Sequence, residues 1–531
     1  MREAMLPVRA EDRSSTVSQN ASGRKPAVLD VRGRHAYLIG IGGCGMSGLA
    51  RMLRARGAIV RGSDKERSEA TEALAAEGVA VEFDQSSGRL PEDTDLVVYS
   101  AAIRPDHPEL MAATTRGLPT HSYAEALGLC MLGRTGVAIA GTHGKSTTVA
   151  MLGHTLIQCG LDPSVIVGAT CAQLSAAPGE SVGRPGAAPI GFRLGSDSIP
   201  AGQMAGAPGI LVAEACEFNR SFHNLHPTIA AITSVEADHL DIYGSLDAVV
   251  EAFRGFAGLV PPAAQGGKLL IAHHGAHRRE VTAGAACEVK TIGFEPDADY
   301  YVTYDSAARR VGLNHAGRHL LNWTLQIPGA HMACNSATAA TIALWLGAEP
   351  AKVGPALSGF RGVDRRMQFV GEKHVPGFGP GGGALPVRVY DDYGHHPTEI
   401  DVTLRALREA ELGGQDGAAS AGRRLICVFQ PHQHSRTRFL LEEFAQSFSH
   451  ADIVIVPHIY FVRDSEIEKT KVSAADLVDR LRKRGVQAMH LYPFEAIVEQ
   501  LQNICWPGDL LVVMGAGPVW QVAQGFLKAG R

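Results

Sequence analysis

The sequence lacks the features that mark membrane, secreted and nucleic-acid-binding proteins. No apolar run approaches the roughly 18 residues that a membrane-spanning helix needs. The first 25 residues are polar and contain no apolar core of a secretory signal. Positive charge is not in excess, because 50 Lys and Arg stand against 54 Asp and Glu, whereas a nucleic-acid-binding face is expected to be basic. We therefore expect neither a membrane nor a nucleic-acid partner.

Cysteine is also scarce. The chain has nine cysteines in 531 residues and no C-x-x-C pair, which argues against a disulfide framework or a zinc ribbon and favours the reduced thiols of a cytosol. With 45% hydrophobic and 20% charged residues, the composition is that of an ordinary soluble protein. The length predicts about two to four domains, and the expectation is a cytoplasmic enzyme.

The most informative segment that is present spans residues 137–152. An apolar strand breaks into the turn GTHGKS and resumes as a helix-forming pattern. Such a turn binds a triphosphate, because backbone N–H groups and the helix dipole face the phosphates. Lys145 would reach the β- and γ-phosphates, and the Ser146 hydroxyl would bind Mg²⁺. The loop is a shortened variant, since Ile139 stands where the usual motif has its first glycine. A glycine turn without a ligand is the alternative.

A second glycine-rich loop follows the first predicted strand. Gly40, Gly42 and Gly45 have the spacing of the dinucleotide fingerprint, and Asp64 follows nineteen residues later. Glycines let the backbone approach a diphosphate, and an acidic residue accepts a hydrogen bond from a hydroxyl. A UDP sugar and NAD(P) therefore fit equally well, and a turn without a ligand remains possible. The separate triphosphate loop favours a nucleotide-linked substrate here and ATP at the second loop.

Strands alternate with helical segments in three successive blocks, which predicts three α/β domains with parallel sheets. Three glycine-rich stretches interrupt this pattern: 172–208 is predicted to be a long surface excursion, and 376–384 and 412–422 are predicted to be mobile loops. The predicted strands are 35–41, 58–61, 96–103, 210–216, 228–235, 387–393, 425–430, 452–457 and 510–517.

Seven motifs occur in one order along the chain and together resemble the Mur ligases, over roughly residues 34–517. They are GIGGCGMSGLA (40–50), GTHGKSTT (141–148), VAEACE (212–217), TSVEADHLDIY (233–243), IPGAHMACNSATAA (327–340), DRRMQFVG (364–371) and DDYGHHPTEI (391–400). Residues 1–33, which precede the first predicted strand, are predicted to be a disordered leader. The resemblance implies a Rossmann-like UDP-sugar domain (34–132), a central P-loop ATPase-like domain (133–358) and a Rossmann-like amino-acid domain (359–531).

The resemblance also implies a reaction. ATP would phosphorylate the carboxylate of UDP-N-acetylmuramate, and the amine of L-alanine would attack the acyl phosphate, giving UDP-N-acetylmuramoyl-L-alanine, ADP and phosphate. This chemistry calls for Mg²⁺ and cationic donors. A ligase that adds a peptide to the same nucleotide sugar is the alternative, followed by an NAD(P)-dependent oxidoreductase. The sequence leaves open whether the chain is a monomer or a homodimer, and whether glycine or L-serine competes with L-alanine.

Several residues are implied to bind ATP and metal. The ATP set is Gly141, Thr142, His143, Gly144, Lys145, Ser146, Thr147, Asn335 and Arg366. Catalysis is assigned to Lys145, Glu214, His239 and Arg366, and the metal to Ser146, Glu214 and His239. Each assignment has a plain alternative: Glu214 would cap a loop, His239 would be a solvated loop histidine, and Arg365 with Arg366 would stabilise a helix end.

The implied UDP-sugar set is Gly40, Gly42, Gly43, Gly45, Met46, Ser47, Asp64 and Ser100, and the implied amino-acid pocket is Tyr393, His395, His396, His432 and Arg436. His434 would join the other histidines at one sheet edge, but a zinc cluster is disfavoured because no accompanying Cys or H-E-x-x-H motif is present. The chain departs from the family at Met332, Gln433 and Pro518. Because some members have arginine in place of Gln433, Arg436 becomes the candidate that binds the alanine carboxylate.

Overall fold

The computed structural model describes residues 28–175, 191–377, 385–413, 422–462 and 464–529. These residues form three α/β units in chain order, each built on its own sheet. The first sheet has five parallel strands in the order β3-β2-β1-β4-β5. Its elements are β1 (His35–Ile39), α1 (Cys44–Ala55), β2 (Ile59–Ser63), α2 (Glu69–Ala76), β3 (Ala80–Glu82), β4 (Leu96–Tyr99), α3 (Pro108–Thr115), β5 (Thr120–Ser122) and α4 (Tyr123–Met131).

The first glycine-rich loop lies where the strand order of this sheet reverses. β1 pairs with β2 on one side and with β4 on the other. The chain therefore continues from β1 towards one edge of the sheet and later returns to the opposite edge, and the loop after Ile39 lies at this change of direction. Ligands of open α/β sheets bind at such a switch point. From Ala36 to Ile39 the strand β1 is buried, as expected of a parallel sheet that helices cover on both faces.

The central unit has a ten-stranded sheet in the order β15-β14-β13-β12-β11-β10-β6-β9-β7-β8. Its strands are β6 (Thr135–Ala140), β7 (Ser164–Ile166), β8 (Phe192–Arg193), β9 (Ile210–Glu214), β10 (Ile229–Ile232), β11 (Lys268–Ala272), β12 (Glu288–Gly293), β13 (Tyr300–Asp305), β14 (Arg310–His315) and β15 (Arg318–Thr324). Its helices are α5 (Lys145–Gln158), α6 (Leu240–Tyr243), α7 (Leu246–Ala257), α8 (Arg278–Thr282), α9 (Ala330–Trp345) and α10 (Pro350–Ser358), with 3₁₀ turns at Ala172–Ser175, Phe218–Asn224 and Ala263–Gln265.

The phosphate loop follows β6, which lies inside the sheet between β9 and β10. Helix α5 leaves the loop and is buried on nearly all sides, from Ser146 to Ile157. The loop is therefore held between an internal strand and a helix of the core.

The third unit has a six-stranded sheet in the order β16-β17-β21-β18-β19-β20, in which the edge strand β16 is antiparallel. Its strands are β16 (Gln368–Lys373), β17 (Val387–Asp392), β18 (Leu425–Phe429), β19 (Ile453–Val456), β20 (Gln487–His490) and β21 (Leu510–Met514). Its helices are α11 (Pro397–Leu407), α12 (His434–Phe439), α13 (Leu441–Gln446), α14 (Ala474–Lys483), α15 (Phe494–Ile504) and α16 (Trp520–Lys528), with a π turn at Arg408–Leu412 and a 3₁₀ turn at Glu468–Thr470.

The three-unit α/β architecture predicted from the sequence is confirmed, and all nine predicted strands are present. Several of them end earlier than predicted, because their last residues form loops. The structure modifies two expectations. The segment 191–208 is exposed over much of its length, as expected of a surface excursion, but it is anchored to the sheet, since Phe192 pairs with Ile166 and Ile199 is buried. The end of the leader is packed, since Val31 is buried. Residues 1–27, 176–190, 378–384 and 414–421, on which the remaining leader and loop predictions fall, lie outside the described residues.

Every helix in the described ranges is too short or too polar to span a bilayer. All nine cysteines are free thiols.

Candidate active site

The phosphate loop requires glycine at both of its ends. Gly141 and Gly144 have φ of 140° and 82°, values that favour glycine. A Cβ on Gly144 would lie 2.7 Å from Oδ1 of Asn335, so α9 packs directly against the loop. Helix α5 begins after Gly144 with no side-chain cap. The N–H groups of its first turn, which includes the buried Ser146 and Thr147, are therefore available to phosphate oxygens.

Lys145 folds back over this loop. Its Nζ donates to the carbonyl oxygens of Gly141 (2.5 Å) and Thr142 (3.1 Å), and to Oε1 of Glu217 (3.1 Å). Burial alone would lower the pKa of Lys145, but the charge of Glu217 outweighs it and holds that pKa above its usual value. The loop therefore carries a fixed ammonium group at the position where a phosphate chain would lie.

A group of metal-ligating side chains lies next to Lys145. Ligand atoms of Glu217, Asp238 and His239 lie within 4.8 Å of one another. Glu214 lies outside this group, and its Oε2 accepts the N–H of Gly168 at 2.7 Å. The carboxylate oxygens suit Mg²⁺, which prefers oxygen ligands. Glu217 and Asp238 are two further carboxylates that the motif assignments do not include, and a metal role for Glu214 stays a prediction.

His143 projects from the phosphate loop towards the third unit. Its Nδ1 lies 3.2 Å from Oε1 of Glu399, its Nε2 lies 3.5 Å from Oε2 of Glu236, and its ring centroid is 4.6 Å from that of His396. Burial lowers the pKa of His143, but hydrogen bonds and charges from Glu236 and Glu399 outweigh burial and raise it to about 9. The imidazole is therefore positively charged at neutral pH.

The two candidate arginines have different surroundings. Arg365 points into the third unit, where it bonds Asp391 (3.2 Å) and the carbonyl of Gly515 (2.7 Å). Both guanidinium groups lie over the ring of Tyr393, Arg365 at 5.2 Å and Arg366 at 4.9 Å. Of the pair, only Arg366 lines the cavity beside the phosphate loop.

That cavity has a volume of about 330 Å³ and lies between the central and third units. Its apolar wall includes Leu270, Ile292 and Phe294, and Asn335 and Thr338 add polar groups. An apolar slot with a few polar groups, next to a triphosphate-type loop, suits a planar base. Sequence reasoning identified Asn335 but missed the wall, because strands β11 and β12 were not predicted.

The structure brings together only part of the expected amino-acid pocket. The rings of His395 and His432 lie 5.6 Å apart, and Tyr393 lies 5.4 Å from His395. His396 instead caps α11 and points its Nε2 at the carbonyl of Ala237. His434 faces Asp464, so the expectation that all four histidines meet is wrong.

Arg436 bridges the two units at the base of this pocket. Its Nε and Nη2 donate to Oδ1 of Asp238 at 3.0 and 2.9 Å, and its Nη1 lies 3.2 Å from Nδ1 of His432. Both members of the ion pair are buried. A second contact joins Oγ1 of Thr398 to Oε2 of Glu236 at 2.6 Å. The third unit is therefore closed onto the segment 236–238 of the central unit.

The first glycine loop is closed by its own acidic residue. The N–H of Gly42 donates to Oδ2 of Asp64 at 2.8 Å. Gly40 has φ of 78°, and Ser100 lies against it, since a Cβ there would be 3.0 Å from Cβ of Ser100. A Cβ on Gly45 would lie 2.7 Å from the Tyr123 hydroxyl. The glycines thus allow neighbouring side chains to pack closely against the loop, and diphosphate binding at this loop stays a prediction.

Two other members of the expected UDP-sugar set are less accessible. Met46 and Ser47 are buried in the first turn of α1, and the Ser47 hydroxyl donates to the carbonyl of Cys44. Gly43 has an ordinary φ of −59°, and a Cβ there would meet nothing nearer than 3.5 Å. Gly43 is therefore the one glycine of the expected set that the described surroundings do not require to be glycine.

Three family models match the chain in succession: the Mur ligase family catalytic domain over 35–135, the Mur ligase middle domain over 139–343, and the Mur ligase glutamate ligase domain over 365–517. The chain belongs to the Mur ligase family.

Relatives within the Mur ligase family cover nearly the whole chain. The UDP-N-acetylmuramate–L-alanine ligases of Agathobacter rectalis and Lachnospira eligens are 34% and 36% identical to it, over 93% of this chain and 98% of theirs. That of Thermobifida fusca is 36% identical over 95% of this chain and 98% of its own.

Solved structures share the Mur ligase fold. The UDP-N-acetylmuramate–alanine ligase of Thermotoga maritima matches with a TM-score of 0.69 at 24% identity, over 93% of this chain and 98% of that one. A murein peptide ligase of Psychrobacter arcticus matches with a TM-score of 0.66 at 22% identity, over 94% and 98%.

In this Mur ligase, we expect the contact between the central and third units to weaken at high pH. A group whose pKa is raised on folding stabilises the folded form below its ordinary pKa, and this contribution is lost as the pH rises through the raised value. For His143 the window runs from 6.5 to about 9. Small-angle scattering should therefore show an expansion above pH 9 that is absent from His143→Gln. An identical pH response of both proteins would contradict the prediction.

Proposed function

We propose that the protein joins L-alanine to the carboxylate of UDP-N-acetylmuramate with hydrolysis of ATP, as a step of peptidoglycan biosynthesis in the cytoplasm. The observation that carries the proposal is the meeting of the phosphate loop, Arg366 and the histidine pocket at one interface between two units. Relatives of 34–36% identity over nearly the whole chain support the choice of substrates, since they bear the name of this activity.

Each unit is assigned one reactant. We assign the nucleotide sugar to residues 34–132, with its diphosphate at the first glycine loop, ATP to residues 133–358, and the amino acid to residues 359–531. The ATP base would occupy the apolar cavity beside Asn335, and the γ-phosphate would lie between Lys145 and Arg366. In the first step a muramoyl carboxylate oxygen attacks the γ-phosphorus and ADP leaves. The two cations neutralise the charge that develops on the phosphoryl oxygens.

Mg²⁺ is assigned to this site from the chemistry of its ligands. Ser146 and the carboxylates of Glu217 and Asp238 would hold it with His239, and Glu214 would contribute the carboxylate oxygen that does not accept the N–H of Gly168. When bound, the ion would neutralise phosphate charge and orient the triphosphate. Lys145 already pairs with Glu217 at 2.9 Å, so a bound metal ion and the Lys145 ammonium group would share the Glu217 carboxylate.

In the second step the amine of L-alanine attacks the acyl carbon, and the tetrahedral intermediate expels phosphate. Burial and the charge of Arg436 lower the pKa of His395 to about 4, so its imidazole is neutral at pH 7. Its Nδ1 faces the carbonyl of Tyr393 at 3.1 Å, which assigns the proton to Nδ1 and leaves Nε2 as an acceptor for a proton of the amine. Closure of the third unit excludes the water that would hydrolyse an acyl phosphate.

Phosphate release is the direct test of this function. Purified protein with ATP, Mg²⁺ and UDP-N-acetylmuramate should release phosphate when L-alanine is added, and mass spectrometry should detect UDP-N-acetylmuramoyl-L-alanine. Glycine, L-serine and a stem tripeptide complete the panel. Release with the tripeptide alone would favour a peptide ligase, and oxidation of a reduced nicotinamide would favour an oxidoreductase.

Arg436→Lys should raise the KM for L-alanine by about tenfold or more, because two charge-assisted hydrogen bonds to the carboxylate are lost. Of the five guanidinium N–H groups, three are used by Asp238 and His432 in the described part of the chain, so two remain for a ligand. A lysine ammonium group lacks the planar fork of N–H donors that would bind Asp238 and a ligand carboxylate at the same time. The KM for ATP should not change.

The matched control is Arg438→Lys. Arg438 lies on the same helix and bonds Glu468 at 3.0 Å, away from the cavity. This variant should keep the wild-type KM for L-alanine. A wild-type KM in Arg436→Lys as well would exclude Arg436 from the carboxylate site.

A further inference from the structure

One carboxylate, that of Glu399, touches three parts of the site. Its Oε2 accepts the backbone N–H groups of His395 (2.9 Å) and His396 (3.3 Å), which precede α11. Its Oε1 lies 3.2 Å from Nδ1 of His143 and 3.7 Å from Nη1 of Arg366. The amino-acid pocket, the phosphate loop and the candidate phosphate arginine therefore meet at a single side chain.

Helix capping alone does not account for this arrangement. Glu399 occupies the capping-box position of α11, a position that Asp476 holds in α14. Asp476 is exposed, whereas the Glu399 side chain is only 14% exposed.

A buried carboxylate is costly unless charged partners surround it. Burial would raise the pKa of Glu399, but the hydrogen bond and charge of His143 and the charge of Arg366 outweigh it and hold that pKa well below its usual value.

The charges around His143 come from two units. Glu236 approaches it from the loop after β10, and Glu399 and His396 approach it from the start of α11. Around Glu399 itself, Arg366, Asp392, His331 and His395 complete the charged and titratable neighbours. Glu399 is the carboxylate of this group that contacts both His143 and Arg366.

We propose that Glu399 is a positioning residue that fixes Arg366 and His143 relative to each other across the interface between the central and third units. Through its contact with His143, Glu399 makes the position of Arg366 beside the phosphate loop depend on closure of the third unit. Through its contacts with the N–H groups of His395 and His396, it links that position to the backbone of the amino-acid pocket. This inference rests on the proposed ligase function and extends it. Glu399 does not touch the reacting atoms.

Glu399→Gln tests the proposal, because the amide keeps the shape and the capping acceptor but loses the charge. If the amide oxygen of the new side chain accepts the N–H groups of His395 and His396, the NH₂ group faces the cations His143 and Arg366. These two side chains would then be repelled from their positions. A misplacement of about 1 Å costs on the order of 100-fold in rate, so we expect kcat to fall by about 100-fold. The KM for UDP-N-acetylmuramate should stay at the wild-type value. The melting temperature should fall, because a buried ion pair loses the charge of one partner, so kcat is compared at a temperature at which both proteins are folded.

A pH profile separates positioning from capping. Losing a negative neighbour lowers the pKa of His143, so the alkaline limb of kcat should move to lower pH in Glu399→Gln. Glu399→Asp keeps the charge but shortens the reach, and should lower kcat while leaving the alkaline limb nearer that of the wild type. Asp476→Asn removes the charge at a capping position far from the cavity and should leave kcat and its pH profile unchanged.

The outcomes distinguish this inference from the proposed function. If the wild type ligates L-alanine and Glu399→Gln is equally active, or loses activity only in proportion to its melting temperature, the inference is overturned and the function stands. NMR titration of ¹⁵N-labelled histidine, assigned with His143→Gln, does not depend on activity. A His143 pKa unchanged by Glu399→Gln would overturn the inference even if the wild type did not ligate L-alanine.

Discussion

Lys145→Ala is expected to abolish ligation, with a fall in kcat of at least about 1,000-fold. The ammonium group is held over the phosphate loop by the carbonyls of Gly141 and Thr142, and no other lysine lies in this loop. Its removal takes away the charge that meets the developing negative charge of the transferred phosphoryl group. Phosphate release with all three substrates is the measurement.

The structure adds a complication that the experiment must remove. Lys145 is the ion-pair partner of Glu217, whose side chain is 5% exposed. Removing one partner of a buried pair costs about 3–5 kcal/mol of stability, so Lys145→Ala alone is expected to melt at a lower temperature. The double variant Lys145→Ala with Glu217→Gln leaves no unpaired buried charge and should recover the melting temperature but not the activity. Turnover close to normal in either folded variant would contradict the assignment of Lys145.

The units and their glycine loops could be predicted because their signals are local. Parallel strands covered on both faces are continuous apolar runs, which makes segments such as 210–216 and 510–517 visible. The loops follow these strands directly, so Gly42 and Lys145 were identified with their neighbours in sequence. The antiparallel extension β13–β15 could not be predicted in this way, because its strands are partly exposed and contain many polar residues and so are not continuous apolar runs.

The partners of the site residues could not be predicted in the same way. Glu217 follows β9, and Asp238 follows β10. They meet because β9 and β10 flank β6 in the sheet, an order that the spacing within either segment does not specify. Glu399 stands in a capping-box spacing that also occurs at exposed helix ends such as that of α14. Its contacts with His143 and Arg366 depend on how two units meet, which the spacing within one segment does not specify.

The second large effect is expected at the first loop, where Gly42→Val should abolish binding of UDP-N-acetylmuramate while ATP binding survives. A Cβ at this position would lie 2.7 Å from Cγ2 of Thr71 and 2.9 Å from Oδ2 of Asp64. The side chain therefore breaks the bond between Asp64 and the loop and also fills the space through which the backbone approaches a diphosphate. Titration calorimetry with each nucleotide measures both affinities separately.

Gly43→Ala is the informative comparison for this variant. Because a Cβ on Gly43 meets nothing closer than 3.5 Å, that protein should fold and melt like the wild type. Any loss of UDP-N-acetylmuramate affinity in Gly43→Ala would then come from contact between the new methyl group and the ligand, and not from damage to the loop. If Gly42→Val instead lost ATP and kept the nucleotide sugar, the two loops would have exchanged ligands. The first unit would then be the ATP-binding one, and the placement of Lys145 beside the γ-phosphate would fail with it.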